Sequence, residues 1–120
     1  MIYNLTQHQP TPDMVAVGVG PTIEGVPALL TVDELPTIEV IEERARAIAA
    51  SAPEGATVLL GGAPWLMSSL ERACLHRNQK TIYAFTRRES VEIRLPYQSA
   101  VEKRQIFRFV GFVEVSNEKI

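Results

Sequence analysis

Three short polar or glycine-rich segments contain the residues best suited to bind a ligand. Each segment follows a run of apolar residues that is typical of a buried β-strand. The candidate ligand-binding residues are Asn4, His8, Gly61, Gly62, Ala63, Thr86, Arg87 and Arg88. Because the loops after parallel strands meet at one edge of an α/β sheet, we expect Asn4 or His8, the glycine pair and one arginine to converge on one pocket.

The glycine pair Gly61-Gly62 lets the backbone approach a ligand closely. Ala63 and Pro64 follow, and a helix that begins at Pro64 would direct its free N–H groups toward an anion such as phosphate. The segment lacks the further glycines of the dinucleotide fingerprint and the lysine of a Walker loop. An anion site and a simple tight turn between strand and helix therefore both stay open.

Arg87 and Arg88 have the planar guanidinium groups that bind phosphate oxygens through two parallel hydrogen bonds. Neighbouring side chains of an extended chain point to opposite sides, so we expect one arginine in the crevice. The other would pair with Glu89 or Glu92, or would be solvated. Thr86, which precedes them, belongs to the same polar segment.

His8 is the candidate for proton transfer, because imidazole titrates near neutral pH. It has no identifiable serine or cysteine partner and no acidic residue at a useful spacing, so a structural role is the alternative. Cys74 is interpreted as a small core residue and His76 as a surface residue near a helix end. The catalytic residues are unknown, and the sequence leaves open whether the protein is an enzyme.

The composition is that of one globular domain over residues 1–120. A single cysteine excludes an internal disulfide, and because no cysteine and histidine set has zinc-ligand spacing, we predict no metal and no cofactor. The chain shows no signal peptide and no membrane-spanning run, so we expect a cytoplasmic protein without membrane contact. The net charge of −2 argues against duplex nucleic acid, although it leaves a local basic patch open.

Strands and helices that would position the candidate residues alternate along the first part of the chain. Residues 1–5 are rich in strand formers, and Thr11 followed by a proline predicts a short helix to about Gly18. Glycines and prolines interrupt residues 18–36, which receive no assignment beyond a strand or turn around residues 28–32.

The middle of the chain predicts parallel strands connected by helices. Apolar residues at spacings of three and four predict a helix from Pro36 to about Ser51, and a buried strand follows at residues 56–60. A second helix from Pro64 has apolar residues on one face, and residues 81–85 form the next strand. This alternation predicts parallel strands joined by right-handed crossovers.

The pattern then changes to alternation of apolar and polar residues. Residues 91–95 and a later segment predict two antiparallel strands, connected through residues 96–100. The later segment is expected to place these side chains on one side: Phe107, Phe109, Val113 and Val115. Because this apolar surface exceeds what one small sheet face covers, we predict a homodimer.

Several of these motifs resemble known groups of proteins. The segments Asn4-Leu5-Thr6-Gln7-His8, Gly61-Gly62-Ala63-Pro64 and residues 83–92 look like a group of small uncharacterised bacterial and phage proteins. The C-terminal half resembles, more distantly, small CRISPR-associated proteins of the ring-nuclease type. This second resemblance is carried by Thr86-Arg87-Arg88-Glu89 and Phe107-Arg108-Phe109-Val110-Gly111-Phe112, and it covers less than half of the chain.

The second resemblance implies a Rossmann-like dimer that binds a cyclic oligoadenylate across its interface and in some members cleaves it without metal. Such cleavage proceeds by attack of a ribose 2′-hydroxyl on the adjacent phosphate, which requires alignment and charge stabilisation. We therefore predict an α/β protein, a Rossmann-like three-layer sandwich with parallel core strands and an antiparallel C-terminal hairpin, which binds a nucleotide or cyclic oligoadenylate. The alternative is a non-enzymatic phage or mobile-element accessory protein that acts through protein contacts.

Overall fold

The structure, a computed structural model, describes residues 1–94, 96 and 101–115. These residues form a mixed α/β fold built around one five-stranded sheet. The elements in chain order are β1 (Ile2–Leu5), α1 (Pro12–Ala16), β2 (Val19–Thr22), α2 (Val26–Leu30), α3 (Ile38–Ala50), β3 (Thr57–Leu60), α4 (Pro64–His76), β4 (Lys80–Arg94) and β5 (Val101–Val115). None of the helices in this part of the chain has the length and apolar character needed to cross a membrane.

The strand order in the sheet is β2-β1-β3-β4-β5. The first four strands are parallel, and β5 pairs antiparallel with β4. At the centre, Tyr3 of β1 is opposite Val58 of β3, which is opposite Thr81 of β4. This confirms the prediction of parallel core strands with an antiparallel C-terminal pair.

One face of the sheet packs against α2, α3 and α4 and forms the main hydrophobic core. Leu5 and Val58 from the strands, Ile48 from α3 and Leu70 from α4 are fully buried there. The helical spacing of apolar residues predicted both long helices, because their inward stripes are what this sheet face covers. Cys74 is likewise buried in this core, as predicted.

Hydrogen bonds from side chains fix the helix ends. Thr11 and Thr37 accept hydrogen bonds from backbone N–H groups of the first turns of α1 and α3, which satisfies donors that helices leave unpaired. Buried Gln79 donates through Nε2 to the carbonyl oxygen of Ala49 at 2.9 Å, at the end of α3. Arg44 of α3 donates to the carbonyl oxygen of Thr31 at 2.7 Å, just after α2.

The other face of the sheet has a smaller apolar cluster, formed by Val19, Leu59 and Ile82. Met14 of α1 packs against this cluster, and so does Phe112 of β5. The second face is therefore covered by a single short helix and by side chains of the sheet, whereas the first face has three helices.

The segment of residues 18–36 contains one strand and one helix. Its first part forms β2, and the expected strand or turn around residues 28–32 is wrong, because helix α2 spans Val26–Leu30. Gly25 adopts a left-handed φ of 90° before the helix, and Pro27 lies in its first turn. Glycine and proline are frequent in loops, but here Gly25 and Pro27 lie at the start of a helix.

The third predicted strand does not end at residue 85. Strand β4 continues to Arg94, so the predicted polar loop after residue 85 is wrong, and β4 itself supplies one strand of the antiparallel pair. Pairing with β5 from Thr86 opposite Phe109 to Arg94 opposite Val101 satisfies the backbone groups of this polar stretch. The predicted connection at residues 96–100, apart from Pro96, lies outside the described residues.

A β-bulge interrupts the alternation of β5. Phe85 is opposite Gly111 and Thr86 is opposite Phe109, so Val110 is the extra residue. The expectation that four alternate apolar residues share one side is therefore wrong. Phe107 and Phe109 lie on the face of the smaller apolar cluster, whereas Val113 and Val115 lie on the opposite face of the sheet.

The far ends of β4 and β5 extend beyond the rest of the sheet. Strand β3 pairs with β4 only through Lys80 to Tyr83, so residues 86–94 and 101–109, here called the arm, form a two-stranded ribbon. The radius of gyration is 17.4 Å, compared with about 14 Å for a compact domain of this length. The longest dimension reaches 57 Å, which an extended ribbon explains.

Candidate functional site

A pocket of about 360 Å³ opens at the edge of the sheet where β1 and β3 end. The loops that follow these two strands form much of its wall, and β4 and α1 complete it. Its lining residues are Asn4, Thr6, Gln7, His8, Gln9, Thr11, Met14, Leu59, Leu60, Gly61, Gly62, Tyr83 and Ala84. Four of the predicted site residues therefore lie around one cavity: Asn4, His8, Gly61 and Gly62.

Asn4 organises the loop after β1 from a buried position. Its Oδ1 accepts hydrogen bonds from the backbone N–H of Thr6 at 3.0 Å and from the Thr6 hydroxyl at 2.6 Å. Its Nδ2 donates to the carbonyl oxygen of His8 at 3.0 Å. Both acceptor positions of the amide are thus used within the loop, so Asn4 acts by holding its neighbours in place.

The same hydrogen bonds fix the backbone of His8 while its side chain is exposed at the pocket. The His8 N–H donates to the Thr6 hydroxyl at 3.2 Å, and Thr22 of β2 donates its hydroxyl to the His8 carbonyl at 2.9 Å. The Gln9 side chain accepts from the N–H of Thr22 at 3.2 Å. An imidazole carried on a fixed backbone is well placed to hydrogen-bond a ligand in the pocket.

The two glycines allow close packing of the elements around the pocket. A Cβ added at Gly61 would lie 3.2 Å from the methyl carbon of Thr6. A Cβ at Gly62 would lie 3.2 Å from Met67 and 3.3 Å from Leu30, which tie the turn to α4 and α2. This close packing agrees with the interpretation of the glycine pair as a tight turn between strand and helix. The same turn forms part of the pocket wall.

The beginning of α4 lies directly after the glycine pair. Ala63 is the N-cap residue and provides no side-chain hydrogen bond, and Pro64 occupies the first turn. Helix N-termini attract anions through their N–H groups and dipole. Ala63 is not among the residues that line the pocket, so an anion bound at this helix end would sit at the rim beyond Gly62.

The inner wall of the pocket is apolar. Met14, Leu59 and Ala84 line it and also belong to the cluster on the second sheet face. Tyr83 completes this wall and donates its hydroxyl to Glu71 of α4 at 2.9 Å. Burial, this hydrogen bond and the Glu71 charge raise the pKa of Tyr83 well above its ordinary value, so the phenol stays neutral.

The arginines of the predicted site lie outside the pocket wall. Thr86, Arg87 and Arg88 are exposed residues of the arm, and none of them lines the cavity. Arg87 is opposite Arg108, and Arg88 stacks over Phe107 with 5.4 Å from the guanidinium carbon to the ring centre. Glu89 pairs with Arg108 at 3.0 Å rather than with either predicted arginine.

The pocket wall also contains residues that the sequence pattern does not mark as functional. Met14, Tyr83 and Ala84 line the pocket from α1 and β4. Apolar residues of this kind are indistinguishable from core residues in a sequence, and their role follows only from their position beside the open sheet edge. Thr6 also lines the pocket, and its hydroxyl holds the loop together through hydrogen bonds with Asn4 and His8.

Comparison with known proteins yields a family match. The model of a family described as "Uncharacterized protein MJ1673 family" matches residues 26–113. No curated protein and no solved structure matches significantly. The matched range includes β3, α4, the arm and the glycine turn, whereas the loop that carries His8 lies before it.

Proposed function

The chain belongs to the uncharacterized protein MJ1673 family, whose description assigns no activity, and we propose that its pocket binds a nucleotide or a cyclic oligoadenylate. The observation that carries the proposal is the pocket at the ends of β1 and β3, where ligands bind in open α/β sheets. Its volume of about 360 Å³ is within the range of small-molecule sites.

The chemistry of the wall supports a nucleoside as the ligand. An adenine ring fits the apolar wall formed by Met14, Leu59 and Ala84, and the exposed His8 can hydrogen-bond a base edge or a ribose hydroxyl. No lysine or arginine is among the residues that line the cavity in the described part of the chain. The phosphate would therefore extend toward the rim, near Ala63 and the beginning of α4.

We further propose that the fold is a Rossmann-like three-layer sandwich and that the protein is a homodimer. Helices on both sheet faces, α1 on one and α2 to α4 on the other, support a Rossmann-like three-layer classification. Exposed Phe85 and Val113 beside each other on the helix-bearing face support a homodimer. Because a pocket is present, ligand binding is favoured over a role restricted to protein contacts.

Cleavage of a cyclic oligoadenylate is the enzymatic form of this proposal. The ribose 2′-oxygen would form a bond to the adjacent phosphorus while the bond from phosphorus to the 5′-oxygen breaks. The 2′-hydroxyl loses a proton and the departing 5′-oxygen gains one, so the products carry a 2′,3′-cyclic phosphate and a 5′-hydroxyl. His8 carries the imidazole of the pocket and is the residue proposed to exchange these protons, because an imidazole can both accept and donate a proton.

Calorimetric titration with AMP and cyclic tetra-adenylate tests the binding proposal. We expect saturable binding to the unmodified protein and at least a tenfold loss in Ala84→Leu, because the larger side chain fills the cavity. His8→Ala should weaken binding about tenfold, the scale of one hydrogen bond. Chromatography of cyclic tetra-adenylate after incubation separates binding from cleavage.

Two matched substitutions serve as controls for the binding test. Ala50→Leu repeats the Ala84 change at an exposed position of α3, and His76→Ala repeats the His8 change at the end of α4. Both variants should bind as the parent does. The proposal is wrong if neither nucleotide binds, or if the control variants lose as much affinity as the pocket variants.

A further inference from the structure

We propose that one face of the arm binds a single-stranded oligonucleotide that continues outward from the pocket. This face has Phe109 and Phe107 on β5, with Arg88 of β4 opposite Phe107. Together with Phe112, which lies between the arm and the pocket, these residues are here called the aromatic track. The inference rests on the proposed function, since it assigns the nucleotides beyond the one held in the pocket.

The aromatic track is continuous with the pocket wall. Ala84 lines the pocket, is opposite Phe112 in the β4–β5 ladder, and packs with it against the same apolar cluster. Thr86 and Arg88 follow Ala84 at alternate positions, so they lie on the same face of β4. At about 3.3 Å per residue, Arg88 is about 13 Å further along the strand than Ala84.

The bulge at Val110 places Phe107, Phe109 and Phe112 in one row on the same face of the sheet. Residues three apart in a regular strand point to opposite faces, yet the rings of Phe109 and Phe112 are 5.0 Å apart between their centres. The extra residue in β5 explains this arrangement, since bulges redirect side chains. Phe107, two residues before Phe109, extends the row into solvent with 65% of its surface exposed.

Arg88 adds a positive charge to the exposed end of the track. It takes part in none of the ion pairs among the described residues, and its guanidinium lies over the Phe107 ring instead. A guanidinium and an aromatic ring side by side are suited to a phosphate and a stacked base, respectively. The adjacent Arg87 and its neighbour Arg108 lie on the opposite face.

The charge distribution favours a polyanion as the occupant. Residues 86–109 contain six lysines or arginines and three glutamates, a net charge of +3, although the whole chain has −2 and the remainder therefore −5. Stacking on aromatic rings requires unpaired bases, which a duplex does not expose. The local charge and the exposed rings thus fit a single strand better than a duplex.

Fluorescence anisotropy with labelled linear tetra-adenylate, alongside calorimetry with AMP, tests the inference. The unmodified protein should bind tetra-adenylate more tightly than AMP, because additional bases stack on the track. Phe107→Ala should weaken tetra-adenylate binding about tenfold, and Arg88→Ala should weaken it by a similar factor. Neither change should alter AMP binding, since neither residue lines the pocket.

Matched controls on the opposite face of the arm separate the track from general electrostatics. Arg87→Ala removes the same charge one residue away, and Ile106→Ala shortens an apolar residue next to Phe107. If these variants lose as much tetra-adenylate affinity as the track variants, or if the track variants lose none, the inference is wrong while AMP binding still supports the pocket. If Phe107→Ala halves the mass in solution and leaves tetra-adenylate affinity unchanged, a second copy occupies the track and the inference is again wrong. Absence of binding by both AMP and tetra-adenylate would remove the proposed function as well.

Discussion

Asn4 shows how a single amide holds the site in shape. Three hydrogen bonds join it to Thr6 and His8, and the residue is almost fully buried. Asn4→Ala leaves the Thr6 donors without their acceptor, so we expect a loss of about 2 kcal/mol in the free energy of unfolding. Urea denaturation followed by circular dichroism measures it.

The neighbouring Gln7 provides the control for this substitution. It also lines the pocket but is exposed, so Gln7→Ala should change the free energy of unfolding by less than about 0.5 kcal/mol. Equal stability of the Asn4 and Gln7 variants would show that the loop does not depend on the buried amide.

Because of Cys74, the free energy of unfolding depends on pH in the alkaline range. Burial, together with the charge of Glu71, raises the pKa of its thiol to about 12, against 9.0 in the unfolded chain. Above pH 9 the unfolded chain releases this proton first, so stability falls as pH rises, by about 1.4 kcal/mol per unit at most. Cys74→Ala removes this contribution.

Urea denaturation at pH 8 and pH 10 tests the alkaline effect. The stability advantage of the unmodified protein over Cys74→Ala should shrink by about 1.4 kcal/mol between the two values, because other titrating groups are common to both proteins. A constant difference between the two proteins would mean that the thiol ionises equally in the folded and unfolded chains.

At the scale of the elements, local sequence determines the helices better than the strands. The spacing of apolar residues in α3 and Pro64 in the first turn of α4 are signals that depend on nearby residues alone, and both helices form as predicted. The length of β4 depends instead on pairing with the following strand β5, which the polar residues of β4 do not indicate. For this reason the sequence predicted a loop at residues 86–90.

The arm is an element that the core does not require. Its residues lie outside both apolar clusters, which include β4 and β5 residues only up to Ala84 and from Phe112. Replacing residues 87–108 by Asn-Gly, a pair that forms tight hairpin turns, would connect the paired residues Thr86 and Phe109 through a two-residue turn. We expect the melting temperature of this variant to stay within about 5 °C of the parent, measured by circular dichroism.

A matched comparison shows whether the core alone sets the stability. Leu70→Ala in α4 should cost about 2 to 5 kcal/mol, since the side chain is fully buried, whereas Leu35→Ala at an exposed position should cost little. An arm-deleted variant that is less stable than Leu70→Ala would place the arm inside the cooperative fold.

At the scale of the whole molecule, the sequence predicted the pocket's location but not its full composition. The rule that ligands bind where parallel strands end placed the loops carrying His8 and Gly61 together. It failed for Arg87 and Arg88 because it assumed that β4 ended at the same edge. The function of the exposed arm could not be predicted, since the bulge at Val110 has no sequence signature.

One exposed apolar surface of the sheet is suited to the assembly of two copies of the chain. Phe85 and Val113 form an apolar patch on the helix-bearing face, opposite to the aromatic track, and β5 is an edge strand whose outer side has no partner among the described residues. Such a surface is usually covered in solution, so light scattering at micromolar concentration should give twice 13.3 kDa. Val113→Arg should convert the dimer to monomer, because it places charge in the buried contact.

Val15→Arg is the matched control for Val113→Arg. Val15 has a similar exposure, 55% against 50% for Val113, but lies on α1, so this variant should remain dimeric. A parent protein of 13.3 kDa in solution would exclude the homodimer, whereas a dimer that both variants disrupt would place the contact elsewhere.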